Sequence, residues 1–162
     1  MMTKIKIVPC VLRQRGEKTQ VLAFVHPPPL EDFQLVKGTV DRGEQLENAA
    51  LRELYEESGI GLSSVRSKIG TLEFIHPVGG KKERQFWKIF HVDTMEDLPE
   101  RWNHIVTGNG EDRRMNFRFY WHDLDGPEDG FHPYFQAVLE KIRRYVKVLA
   151  IRHGASKHDL TA

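Results

Sequence analysis

The sequence predicts an α/β (α+β) protein in which a mixed β-sheet is covered by helices on both faces. Three observations carry that expectation: several segments with strand patterning, a helical segment in the middle of the chain, and a second one near its C-terminal end. A sheet buries each face against another layer, and helices in those two positions can supply both. A chain of 162 residues is long enough for one domain with a sizeable core.

The elements follow in order. Residues 4–12 (KIKIVPCVL) alternate and then turn apolar, as a strand does, and Pro9 inside them points to an edge or a bulge. A polar turn around Gly16 leads to residues 20–26 (QVLAFVH), so the two segments form an expected hairpin. Prolines 27–29 cannot continue a ladder and open a surface loop, after which residues 33–37 (FQLVK) make a short strand. Residues 67–78 contain another strand, followed by a Gly79-Gly80 turn. Residues 84–92 (RQFWKIFHV) are apolar on both faces apart from Lys88, as in a central strand covered twice.

Residues 93–114 are polar and irregular and read as a long loop with room for one short helix. In residues 116–122 (NFRFYWH), Phe117, Phe119 and Trp121 fall on one face at period two, which marks sheet core ahead of a base-stacking platform. Residues 133–148 carry Phe135, Val138, Leu139, Ile142 and Val146 at the spacing of an amphipathic helix. The expected organisation is one domain over residues 1–150 and a frayed tail over 151–162.

Composition narrows the function. A formal net charge of +1 gives no basic excess of the kind that marks an extended nucleic-acid surface, although a nucleotide needs only local positive charge. Cys10 is the single cysteine, which leaves no intrachain disulfide and no zinc cluster. No apolar run reaches membrane-spanning length, and the first ten residues lack the apolar centre of a signal peptide. A cytoplasmic setting without a membrane partner is therefore expected, as a monomer or homodimer.

The chemistry concentrates in residues 38–60, GTVDRGEQLENAALRELYEESGI. A glycine-bounded loop leads into a helix that Gly59 closes, because glycine takes the left-handed conformation at that point without penalty. Glu53, Glu56 and Glu57 share one face by the i, i+3, i+4 rule, and Leu46, Ala49 and Ala50 project onto the same sector. The acid cluster thus continues the apolar stripe and points toward the protein body or a cleft in it. Carboxylates placed there repel one another unless cations neutralise them, and hard oxygen donors suit Mg²⁺ or Mn²⁺.

Written with its spacing, the stretch is Gly38, five residues, Glu44, seven residues, then Arg52-Glu53-Leu54-Tyr55-Glu56-Glu57-Ser58-Gly59-Ile60. It resembles the Nudix box, G-x5-E-x7-R-E-U-x-E-E-x-G-U with U aliphatic, and departs from it nowhere. The resemblance implies an α/β/α sandwich. It also implies a metal-dependent hydrolase that cleaves the pyrophosphate of a nucleoside diphosphate linked to another group.

By position, the resemblance makes Glu56 and Glu57 metal ligands and Glu53 either a ligand or the base that activates water. The Gly38 carbonyl joins the metal shell. Glu44 joins it through water or holds the loop, and Arg52 orients the cluster by pairing with Glu44 or Glu56. Some members of the family use a glutamate outside the box as base; Glu111 is the candidate, with Glu83 and Asp112 as rivals.

Lys37 and Arg42 flank Gly38 and are candidate contacts for substrate phosphate, and Lys81, Lys82 and Arg84 form a second basic group, all against a default of solvated charge. The Lys37-Gly38-Thr39 entrance loosely resembles that of dinucleoside and diphosphoinositol polyphosphate hydrolases. The expected substrates are nucleoside triphosphates or dinucleoside polyphosphates, then ADP-ribose or nucleotide sugars. A non-catalytic ligand-binding module of the same fold is the competing class.

Overall fold

The computed structural model describes residues 1–152. Its elements are β1 (Met2–Arg15), β2 (Lys18–Val25), β3 (Phe33–Gln34), β4 (Gly38–Thr39), α1 (Leu46–Ser58), β5 (Ser63–Val78), β6 (Lys81–Thr94), β7 (Trp102–Ile105), β8 (Asn116–Asp123) and α2 (Pro133–Arg152). The strands join one sheet in the order β5-β6-β1-β2-β8-β7, with β3 beside β2 and β4 beside β1. The β1–β6 pair is parallel and the others are antiparallel, so the sheet is mixed as expected.

Period two assigns the side chains to two cores. Ile7, Val11, Leu22, Phe24, Phe90 and Val92 face α1, where they meet Ala49, Ala50 and Leu54. Their neighbours Val8, Leu12, Val21, Ala23, Trp87 and Ile89 face α2, where they meet Phe135, Val138, Leu139 and Ile142. Successive side chains of a strand leave opposite faces, so strands apolar in both phases require a helix on each side. Cys10 lies in the second core, and burial pushes its thiol pKa up.

Two expectations are corrected. Pro9 is not on an edge strand: β1 is central, and Pro9 aligns with Phe90 of the parallel partner. It falls between the β4 pairing at Lys6 and Ile7 and the β2 pairing from Leu12, a break in the second ladder where a residue without an N–H is tolerated. The expected loop over 93–114 contains the edge strand β7, paired with β8 from Trp102↔Phe119 to Ile105↔Asn116, and no helix. Four residues in a polar setting carry too little alternation to read as a strand. Beyond Arg152, the expected frayed tail lies outside the described residues.

His91 of β6 ties the second helix layer to the sheet. It is fully buried, and its Nδ1 lies 2.7 Å from the Tyr145 hydroxyl of α2, which also lies 2.6 Å from Ser67 Oγ of β5. Burial, helped by the Arg66 charge, pushes its pKa down to about 4. The unfolded chain therefore takes up a proton that the folded chain refuses. The contribution is full above the ordinary value of about 6.5 and is lost as pH falls through about 4, at roughly 1.4 kcal/mol per unit of displacement. Denaturation midpoints at pH 7 and pH 4.5 should diverge less in His91→Gln than in the parent chain; equal divergence would remove His91 from the account.

Candidate active site

Helix α1 ends at Gly59 with φ of 85°, the left-handed closure expected of glycine. Its buried face comprises Ala49, Ala50, Glu53, Leu54, Glu57 and Ser58, so acid does continue the apolar stripe. Glu53 is 8% exposed and Glu57 5%, while Glu56 sits half-buried at the margin.

The last carbonyls of a helix lack partners within it. Strand β7 and the loop after it supply them here. The Thr107 N–H donates to Glu56 O at 2.9 Å, His104 Nε2 lies 3.1 Å from the same oxygen, and Trp102 Nε1 donates to Ser58 O at 3.0 Å. These bonds hold residues 106–112 against the acidic end of α1. Gly108, with φ of 87°, packs so closely on Glu56 that a Cβ would overlap the carboxylate.

A cleft of about 420 Å³ opens between these parts. One wall is acidic, with Glu53, Glu56 and Glu57 from α1 and Glu111 and Asp112 from the loop. The other is basic, with Lys4 and Lys6 from β1 and Lys37 before β4. Gly38, Thr39, Asp41 and Arg52 line it between the two walls.

Arg52 organises the acid wall. Its Nε and Nη2 donate to Glu44 at 2.7 and 2.9 Å, and its Nη1 donates to Glu53 at 2.8 Å and Glu56 at 3.2 Å. Nη2 also reaches the Thr39 carbonyl at 3.1 Å, which joins the helix to β4. Both alternatives for Arg52, pairing with Glu44 or with Glu56, are therefore present together. Glu44 accepts from the Asp41 N–H as well, and hydrogen bonds from Arg52 hold its pKa below the usual carboxylate range.

Burial raises the Glu53 pKa against the hydrogen bond from Arg52. Burial raises that of Glu57 further, reinforced by the Glu53 and Asp112 charges and opposed by the Lys37 backbone N–H. The ionised forms of both are thus disfavoured by their surroundings, and an added cation would relieve this. The ionisable side chains of the acid wall are all carboxylates, with no Cys or His among them, which fits a hard divalent ion. Among the described residues no three His, Cys, Asp or Glu side chains close into a metal shell as they stand, and Arg52 donates to both Glu53 and Glu56.

Gly38 meets α1 directly: a Cβ there would fall inside the Glu53 carboxylate. Gly38→Ala is expected to displace Glu53 and lower activity by about 10²-fold, the scale of a misplaced reacting group, with the fold retained. Rates and circular dichroism measured together check this, and a parental rate would show that the close approach is dispensable.

Some predicted residues lie elsewhere. Arg42 is exposed and does not line the cleft, and Glu44 is turned to Arg52. Glu83 is buried on β6, bound by Gln85 and 3.5 Å from Lys4, outside the lining. Lys81, Lys82 and Arg84 are exposed at the β5–β6 hairpin, with Arg84 paired to Glu73. Conversely, the sequence reading missed Lys4, Lys6 and Gly108. The two lysines were legible as cations two apart on one strand face; the role of Gly108 had no sequence signal.

The NUDIX domain model matches residues 4–141, and the chain belongs to the Nudix family. It is 28% identical over 149 residues to an 8-oxo-(d)GTP phosphatase of Mycolicibacterium smegmatis, a match covering 85% of this chain and 39% of that protein. The chain thus spans well under half the length of that curated relative. Several solved structures share its fold. A C. elegans Ap4A hydrolase complex covers 91% of this chain and 98% of its own, with 19% identity and a TM-score of 0.59. A MutT protein from Methanosarcina mazei Go1 covers 88% and 94%, with 18% identity and a TM-score of 0.61.

Proposed function

We propose that residues 1–150 form one Nudix hydrolase domain that uses Mg²⁺ or Mn²⁺ to cleave a pyrophosphate bond in a nucleotide, and that nucleoside triphosphates or dinucleoside polyphosphates are its substrates. The observation that carries this reading is the cleft lined by six carboxylates and three lysines. Relatives named for 8-oxo-(d)GTP and for Ap4A support the choice of substrate class.

In this mechanism Glu53, Glu56, Glu57 and the Gly38 carbonyl would hold the ion. The bound ion supplies positive charge that offsets the charge of the phosphates in the ground and transition states. Water attacks one phosphorus, its oxygen forming the new P–O bond while the bridging P–O bond breaks and the leaving phosphate carries away the electron pair. The proton lost from that water passes to a carboxylate.

Glu111 suits that task better than Glu53. It is exposed in the cleft and makes no hydrogen bond or ion pair among the described residues, whereas Arg52 already donates to Glu53. Glu44 supports Arg52, and Lys37 contacts substrate phosphate. The reading includes a cytoplasmic setting; among the described residues no helix is long and apolar enough to cross a membrane.

The test is product release from a panel of nucleoside triphosphates, diadenosine polyphosphates, ADP-ribose, nucleotide sugars and diphosphoinositol polyphosphates, with each metal and with chelator. A metal-dependent hit on the first two classes is expected. Turnover confined to ADP-ribose or nucleotide sugars would replace the substrate class, and tight binding without any turnover would favour a ligand-binding module.

A further inference from the structure

We propose that Lys4 and Lys6, with Lys37, form an anion subsite that takes phosphate groups beyond the scissile pyrophosphate and so selects substrates by phosphate number. The inference rests on the hydrolase reading and adds a specificity device built on β1.

Residues two apart on a strand share a face, which puts Lys4 and Lys6 side by side. The β1–β4 register, Lys6↔Thr39 and Ile7↔Gly38, sets Lys6 directly across from the entrance to the acidic helix. Lys6 Nζ donates to Thr39 Oγ1 at 2.7 Å, a neutral partner. Lys37 Nζ lies over the Trp87 ring, 4.6 Å from its centroid. Among the described residues neither ammonium has a carboxylate within 4.0 Å, although both are half-buried in a cleft lined by six carboxylates.

The basic wall is braced from behind. Trp87 Nε1 donates to Gln85 Oε1 at 2.9 Å, and Gln85 Nε2 donates to Glu83 Oε1 at 2.8 Å. Glu83 Oε2 then lies 3.5 Å from Lys4 Nζ. One buried chain on β6 therefore fixes both the ring beneath Lys37 and the anion beside Lys4. Once a cation offsets the acid wall, three ammoniums with a carboxylate beside Lys4 favour an incoming anion.

Phosphates are the fitting anion. The acid wall repels any phosphate that its metal does not neutralise, so further phosphates of the substrate are driven toward the lysines. Lysine ammoniums are compact point charges that accept phosphate in many orientations, which suits a flexible chain. Two sources share this chemistry: a linear polyphosphate, or a phosphorylated ring that carries a diphosphate.

The experiment compares the parent chain with Lys6→Gln, Lys4→Gln/Lys6→Gln and Lys6→Arg. Substrates are ADP-ribose with two phosphates, ATP and diadenosine tetraphosphate with linear chains, and a diphosphoinositol polyphosphate with ring phosphates. Each lost lysine should raise KM for multiply phosphorylated substrates by about ten- to a hundredfold, the worth of a charge-assisted hydrogen bond, with a much smaller effect on kcat. The KM for ADP-ribose should move far less, and Lys6→Arg should restore most of the loss. An effect confined to the linear or to the ring substrates identifies the source.

Equal KM shifts for two-phosphate and longer substrates, or none, would overturn the subsite while leaving the hydrolase reading intact. A binding titration with inorganic anions, in Mg²⁺ and in chelator, separates the two further. The parent chain should bind inorganic tripolyphosphate more tightly than pyrophosphate, and the double variant should lose that preference even if no substrate is turned over. An equal preference in both proteins would overturn the proposal.

Discussion

Glu57→Gln is expected to lower kcat by about 10³-fold or more, equivalent to about 4 kcal/mol of transition-state stabilisation. The residue is almost wholly buried, and its surroundings disfavour its charge through desolvation and through Glu53 and Asp112. A costly charge at a cleft wall points to a cation that offsets it. The amide preserves the shape and can still accept from the Lys37 N–H, but it removes the charge. Two readouts should therefore move in opposite directions. Activity should collapse, while the thermal midpoint in chelator should stay level or rise, because an unfavourable buried charge has gone.

Added Mg²⁺ or Mn²⁺ should raise the midpoint of the parent chain, as a ligand of the folded state does, and raise that of Glu57→Gln much less. Glu56→Gln should follow the same activity pattern. It is less buried and bonded to Arg52, so its gain in chelator should be smaller. Parental rates in both variants would make the metal assignment untenable.

Arg52→Lys is expected to cost about 10- to 100-fold in activity and to raise the metal concentration needed for half-maximal rate, the usual scale for a group that orients ligands. One guanidinium reaches Glu44, Glu53, Glu56 and the Thr39 carbonyl from fixed directions. Lysine keeps the charge but presents a single ammonium, which cannot span these partners at once. The carboxylates that Arg52 gathers would relax apart, and β4 would lose its tie to the helix. Rate against metal concentration reads this directly. An unchanged metal requirement would reduce Arg52 to a surface ion pair, worth little in energy.

Much of this was readable along the chain because it depends on local periodicity. The 3.6-residue repeat places Glu53 and Glu57 in line with Ala49 and Ala50, and Gly59 ends the helix, whatever surrounds it. The period-two patterns of residues 4–12, 20–26 and 116–122 likewise foretell strands and their buried faces, and so the two-sided sheet.

Other features depend on which strands meet, and no local pattern encodes that. Lys6 faces Thr39, next to Gly38, only because β1 pairs antiparallel with β4 at that register. Pro9 is tolerated in a central strand because the second ladder breaks beside it. The β7 strand and Gly108 sit on the end of α1 through hydrogen bonds and packing that span some fifty residues of sequence. Spacing along the helix names the acids. Long-range pairing, which brings distant backbone groups into contact, supplies the basic wall opposite them and the loop that holds them in place.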